Sequence, residues 1–219
     1  MSLPSIDLQS YADLDPRFYG NLLVGNGFSM GVSRNFAYTS LYNAGVAKGD
    51  IDPDTQDLFT AFGTHDFEYL LRKLYQASTI NKILKIDHLT PVSKYGLVKD
   101  ALIKSVSSVH PEFSDVNRDW LERCSKFMSR MENVFSLNYD LFPYWIAGID
   151  NFEGYTDFFW STGLTFDQFN TDVWGRKTKM YYPHGALFIF EDLDGAMSKV
   201  RQKGRRKHTR QHWDAYFKF

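Results

Sequence analysis

A mixed α/β chain, with helices crossing over between the strands of a parallel sheet, is what this sequence predicts. Three observations carry it. Short apolar runs at residues 19–24, 134–137 and 179–183 each end in a turn: Gly25-Asn26-Gly27, Asn138-Tyr139-Asp140 and His184-Gly185. Between the first two runs lie stretches whose apolar residues recur at helical spacing. Strands separated by helical stretches call for crossover connections. The 219 residues, 43% hydrophobic and 17% aromatic, build a sizeable core and exclude a wholly disordered chain.

The run at 19–24 reads as a buried strand entering a tight turn at Gly25 and Gly27. Residues 43–64, rich in Gly and Asp, read as a loop. Asp50, Asp52, Asp54 and Asp57 invite a calcium site there. The EF-hand template fails, with Thr55 in place of its glycine and Ala61 in place of its terminal glutamate. A helix over residues 66–77 is expected from Phe67, Leu70, Leu71 and Leu74. A second follows Gly96 and places Leu97, Ala101, Leu102 and Val106 on one face. A third, capped by Ser114 or Asp115, aligns Trp120, Leu121, Cys124, Phe127, Met128 and Met131. Cys124 on that stripe reads as a core residue rather than a thiolate.

Past residue 132 the texture turns strand-like at 134–137 and 179–183. The run 186–190 with the turn Asp192-Leu193-Asp194-Gly195 predicts a hairpin or returning strand. Residues 135–190 hold 17 of the chain's 37 aromatics, so this stretch is packed rather than a linker.

The net charge of −1 conceals a split. Residues 201–219 carry seven Lys/Arg against Asp214 alone, which leaves 18 basic and 25 acidic residues in 1–200. The body is therefore no nucleic-acid binder by charge. The basic tail reads as a solvated end, with phosphate contact to nucleic acid as the rival. Its Trp213, Tyr216, Phe217 and Phe219 point to docking on the body or a neighbouring subunit. The longest apolar runs fall far short of the ~18 residues of a membrane span, and no secretory signal opens the chain. A single cysteine excludes an internal disulfide and a four-cysteine zinc module, and fits a reducing cytoplasm. No membrane partner and no metal are expected.

Three constellations could carry chemistry. Gly25-Asn26-Gly27-Phe28-Ser29 after a strand lets the backbone approach a phosphate, with Ser29 adding a hydroxyl, although a plain structural turn looks the same. In Ser136-Leu137-Asn138-Tyr139-Asp140, residues two apart project to one side, so Asn138 and Asp140 would face one pocket. The rival is a helix cap, with Leu141-Phe142 opening the helix. His184, before Gly185 at a strand end, could act as a general base or bind a sugar hydroxyl, or be structural. No other histidine stands at metal-ligand spacing from it.

In this order, and in the wording around them, these motifs resemble the sirtuin-like NAD-binding family, in the branch found among bacterial antiviral NAD-hydrolysing proteins. The matching stretches are Leu22-Leu23-Val24-Gly25-Asn26-Gly27-Phe28-Ser29, Phe67-Glu68, Val134-Phe135-Ser136-Leu137-Asn138-Tyr139-Asp140 and His184-Gly185-Ala186-Leu187, within residues 18–200. The resemblance implies a Rossmann-like parallel sheet with flanking helices, a helical insertion near 64–131, one domain over 1–200 and a separate tail over 201–219.

It also implies site roles. Gly25, Asn26, Gly27, Phe28 and Ser29 would cradle the NAD phosphates. Asn138 would hold the ribose and the attacking water, Asp140 would lie near the nicotinamide carboxamide, and His184, followed by Gly185, would contact the ribose hydroxyls as base. NAD is then the substrate, cleaved at the nicotinamide–ribose bond in antiviral defence. A homo-oligomer and a phage-derived or protein activator are implied with it. Lacking a zinc module, the chain is expected to hydrolyse NAD rather than deacylate lysine. The runner-up is a catalytically idle module that binds NAD or ADP-ribose and signals to a partner. The basic residues from 201 onward do not resemble the strands with which such relatives continue.

Overall fold

The structure is a computed structural model that describes residues 20–160, 165–170, 177–191 and 195–199. Strand β1 (Asn21–Val24) leads through the turn at Gly25 into helix α1 (Asn26–Val32). Helices α2 (Tyr38–Lys48), α3 (Pro53–Ala61), α4 (Phe67–Leu84), α5 (Leu89–Val109) and α6 (Arg118–Met128) follow before strand β2 (Asn133–Ser136). Helix α7 (Phe142–Gly148), strands β3 (Tyr155–Thr156) and β4 (Thr178–Tyr181), and the pair β5 (Ile189–Glu191) and β6 (Met197–Lys199) complete the described elements.

The main sheet has the order β1-β2-β4-β3 with every pairing parallel, the α/β class with flanking helices that the sequence predicts. Val24 registers with Ser136, and Val134 with Met180. Parallel strands end on one side, so Gly25, the 137–140 segment, Asp157 and the 182–185 segment all emerge at a single sheet edge. Strands β5 and β6 pair antiparallel, the expected hairpin, although residues 192–194 of its turn lie outside the described residues. The 201–219 tail, with its four aromatics, lies outside them too.

Five sequence expectations are corrected. Residues 43–64 are largely helical: Asp52 caps α3 by accepting the Thr55 N–H at 3.1 Å, Pro53 opens the helix, and Gly49 at φ +73 closes α2. Asp52 also pairs with Lys94 at 2.9 Å, and Asp50 with Lys104 at 3.6 Å, so these acids serve caps and ion pairs. Helices therefore fill the whole β1–β2 connection from Asn26 instead of beginning near residue 64. Helix α5 starts seven residues before Gly96 and buries Val98 in place of Leu97, which is 48% exposed. Helix α6 is capped by Asn117, whose side chain accepts the Trp120 N–H at 2.9 Å, rather than by Ser114 or Asp115. The β1 strand, expected to be buried, buries only Val24, and Leu23 stands 65% exposed.

The helical core centres on Phe36, Phe59, Phe67, Leu70, Val98 and Leu102, all buried. Helix α5 packs along both α2 and α4. At the α2–α5 crossing a Cβ on Gly45 would lie 2.7 Å from Ser105 Oγ and 2.8 Å from Ile51 Cδ1, so any larger residue there would force these side chains to shift. Phe36 meets the Phe142 ring at 5.3 Å and joins this core to α7. Buried Val134, Met180, Leu121, Met128 and Ile146 belong to the same continuous core. Cys124 is half-buried against it, and burial pushes its thiol up, which suits a core residue.

Candidate functional site

The alternation expected beyond β2 is present. Val134, Ser136, Asn138 and Asp140 are buried, while Phe135, Leu137 and Tyr139 between them are less so. Asn138 and Asp140 thus project to one side, as two-residue spacing dictates. They meet Ser29, the last residue of the Gly-x-Gly-x-Ser turn, which lies fully buried on α1. Asn138 Nδ2 donates to Ser29 Oγ at 2.5 Å, and Ser29 Oγ donates to Asp140 Oδ2. These bonds close over separations of 109 and 111 residues.

Asp140 also reaches the following helix, whose N-cap position is taken by Leu141. Its Oδ1 accepts the Phe142 N–H at 2.9 Å at the start of α7, while Oδ2 serves Ser29. Burial pushes its carboxyl up to about 6, against the hydrogen bonds of Ser29 and the Phe142 N–H, which favour the ionised form. The next residue is pinned as well: the Leu141 N–H donates to His110 Nε2 at 3.0 Å. The His110 ring lies among Phe36, Phe142 and Trp145 at 5.7, 4.9 and 4.8 Å.

Two features leave room for a ligand. Asn138 is 5% exposed, yet its Oδ1 has no hydrogen-bond partner. Such an acceptor in a buried place is costly unless something else supplies a donor. Gly25 and Gly27 are the second feature. Gly25 sits at φ −128, Gly27 is not at positive φ, and a Cβ on either would meet nothing within 4 Å. Gly25 is the N-cap of α1, a place that suits glycine, whereas at Gly27 neither backbone angle nor packing calls for glycine and the backbone lies open to a ligand. Phe28 packs on Trp120 with ring centres 5.4 Å apart, and Asn26 Nδ2 donates toward Met30 Sδ at 3.8 Å.

His184 follows β4 at the same sheet edge, but it joins a different group. Its Nδ1 lies 3.6 Å from Glu68 Oε1, and its ring centre 6.2 Å from that of Tyr139. Gly185, at φ +77, closes the turn with its N–H on the Tyr182 carbonyl at 2.9 Å. Burial and the charge of Glu68 push the Tyr139 hydroxyl up to about 12. Burial together with Asp66 and Glu68 does the same to Tyr38. The structure therefore bonds Ser29, Asn138 and Asp140 directly, and sets His184 against Glu68 on the Tyr139 side. Sequence alone assigns Glu68 no role, although Phe67-Glu68 is one of the matching stretches. Its link to His184 appears only once α4 is folded against the 182–185 turn.

A second polar pair emerges at this edge. Asp157, just past β3, holds Lys199 of β6 at 2.8 and 3.0 Å, with both side chains under a tenth exposed. The Lys199 ammonium lies 5.1 Å from the Trp160 ring centre and 5.7 Å from that of Phe152. Among the described residues no three His, Cys, Asp or Glu converge as a metal site, and no helix is long and apolar enough to cross a membrane.

Residues 22–215 match the profile of a family described as a domain of unknown function, DUF4917. The chain belongs to this family. The DUF4917 match takes in the Ser29–Asn138–Asp140 set, Glu68 and His184, and reaches into the basic segment beyond residue 200. No curated protein matches the chain. The DUF4917 description names no activity.

Proposed function

We propose that this DUF4917 chain is an NAD glycohydrolase that cleaves the nicotinamide–ribose bond. One observation carries the reading: the Gly-x-Gly-x-Ser turn and the Asn-x-Asp segment meet as one buried, hydrogen-bonded set at the sheet edge, with Asn138 Oδ1 left as a free acceptor. Ligands of open α/β sheets bind outside the carboxyl ends of the strands, where this set lies.

Cleavage of such a bond passes through an oxocarbenium-like state and releases a leaving group that needs no protonation. The protein must orient the ribose, favour positive charge and take a proton from water. Asn138 supplies orientation through its free acceptor. Asp140, ionised at neutral pH, supplies a buried negative charge beside it. His184, with Glu68 against Nδ1, presents Nε2 as the base. The glycines at 25 and 27 leave their backbone open to phosphate. Antiviral NAD depletion in a cytoplasmic homo-oligomer, under a phage-derived or protein trigger, accompanies this reading through the resemblance.

Incubating the purified protein with NAD and separating the products tests it. Nicotinamide should be released, and Asn138→Ala and His184→Ala should each lower the rate by ~10²–10⁴-fold while the fold stays intact. A folded variant of either kind with the wild-type rate would overturn the site assignment. The second reading, an idle NAD- or ADP-ribose-binding module, draws on His184 lying against Glu68 rather than against Asn138. It predicts ligand binding with no nicotinamide release.

A further inference from the structure

The connection between α4 and α5 ends in a tip unlike the rest of the described surface. Within residues 80–92, Ile80, Ile83, Leu84, Ile86, Leu89 and Val92 are 54%, 73%, 62%, 55%, 67% and 51% exposed. Six large aliphatic side chains pointing outward on one short hairpin exceed the scatter normal on a surface.

The backbone of the tip is closed on itself. Helix α4 ends at Lys85 in the left-handed region at φ +59, whose N–H donates to the Lys82 carbonyl at 3.3 Å, and the Ile86 N–H donates to the Asn81 carbonyl at 3.0 Å. Asn81 Nδ2 donates to the Asp87 carbonyl at 2.5 Å. The N–H groups of Leu89 and Thr90 both donate to Asp87 Oδ1, at 2.9 and 3.2 Å. Helix ends in water are capped in the same way. The capping also leaves few unpaired backbone groups at the tip, and such groups would be costly in an apolar phase.

Charge selects among partners. Lys82 and Lys85 flank the apolar side chains and have no acidic partner among the described residues. The tip's acid, Asp87, has its carboxylate engaged in starting α5. A second copy docked tip to tip would bring four lysines together. A nucleic acid would leave the aliphatic groups without purpose. An anionic lipid surface takes both, the aliphatic side chains below the headgroups and the lysines among the phosphates.

We infer that the α4–α5 tip is a peripheral contact for anionic lipid, lying on the bilayer surface without spanning it. The inference is independent of the NAD reading, and its test uses no nucleotide. The full-length protein is sedimented with phosphatidylcholine vesicles, with and without phosphatidylserine. Binding is expected to the phosphatidylserine vesicles and to weaken as salt rises. Ile83→Glu with Ile86→Glu should lower that binding by roughly tenfold or more. Lys82→Glu with Lys85→Glu should abolish the preference for phosphatidylserine. All four positions lie at the surface, so circular dichroism should be unchanged. Failure of the wild-type protein to bind either vesicle overturns the inference. So does binding that survives Ile83→Glu with Ile86→Glu, which would place the contact elsewhere, as in the basic 201–219 segment. A dimer in light scattering that depends on Ile83 and Ile86, without vesicle binding, overturns it in favour of a second copy.

Discussion

Asp140→Asn tests the buried site without reference to any substrate. In the folded chain burial holds the Asp140 carboxyl at about 6, against an ordinary value of 3.8. The native chain therefore keeps a proton through a pH range in which the unfolded chain has released it. Stability falls across that range as pH rises, by about 1.4 kcal/mol per unit, which amounts to roughly 3 kcal/mol between about pH 4 and about pH 7. The sign is opposite to that of Asp52, which Thr55 and Lys94 hold at about 2 and whose contribution is lost as pH falls. An asparagine at 140 keeps an oxygen for the Phe142 N–H and has nothing to titrate. Urea midpoints of both proteins across this range give the assay, and the difference between them cancels the other titrating groups. Asp140→Asn should gain about 3 kcal/mol on the wild type as pH rises. A difference constant to within roughly 0.5 kcal/mol would mean that Asp140 titrates alike in both states, and the burial argument would fall.

Replacing Lys199 by Met strands the buried Asp157 carboxylate and should cost about 3–5 kcal/mol in urea, with much of it recovered when Asp157→Leu is added. If the double variant is no better than the single one, the pair does not act as a unit. Gly45→Ala should cost about 1–3 kcal/mol, because the new methyl meets Ser105 and Ile51 at 2.7 and 2.8 Å; an unchanged melting temperature would refute that packing. Glu68→Gln breaks a pair whose side chains are each 40% exposed, so stability should stay within about 0.5 kcal/mol. If Glu68 orients the base, the NAD cleavage rate should nonetheless drop by roughly tenfold or more with KM unchanged, and a wild-type rate would remove it from the site.

How far the sequence was legible depends on whether the cause is local. Phe67, Leu70, Leu71 and Leu74 predicted the buried face of α4, and Val134 to Asp140 predicted an alternation that continues past the strand end. Both patterns follow from backbone geometry alone. Residues 43–64 look like a loop in sequence because glycine and aspartate mark loops and helix ends alike. Gly49 ends α2, and Asp52 and Pro53 begin α3, so the residues on either side of this short break are helix. At the site, the spacing of Asn138 and Asp140 put them on one side, but their meeting with Ser29 depends on the β1–β2 pairing, which no local pattern encodes. The pairing of Glu68 with His184 was hidden for the same reason. The closed, aliphatic tip of α4–α5 was missed because its outward side chains keep the same helical spacing as buried ones.

The bonds from Ser29 to Asn138 and Asp140 also set a schedule for synthesis. The helices that separate them make many of their contacts locally and can form while the chain is still emerging. The pairing of β1 with β2 must wait for about 110 further residues, and closing so long a loop is a slow, late event. A ribosome-bound fragment that stops short of β2 holds the glycine turn and most of the helices, yet it has no assembled site. If the chain does destroy NAD, that activity switches on only after the greater part of the protein has been made and the sheet has closed.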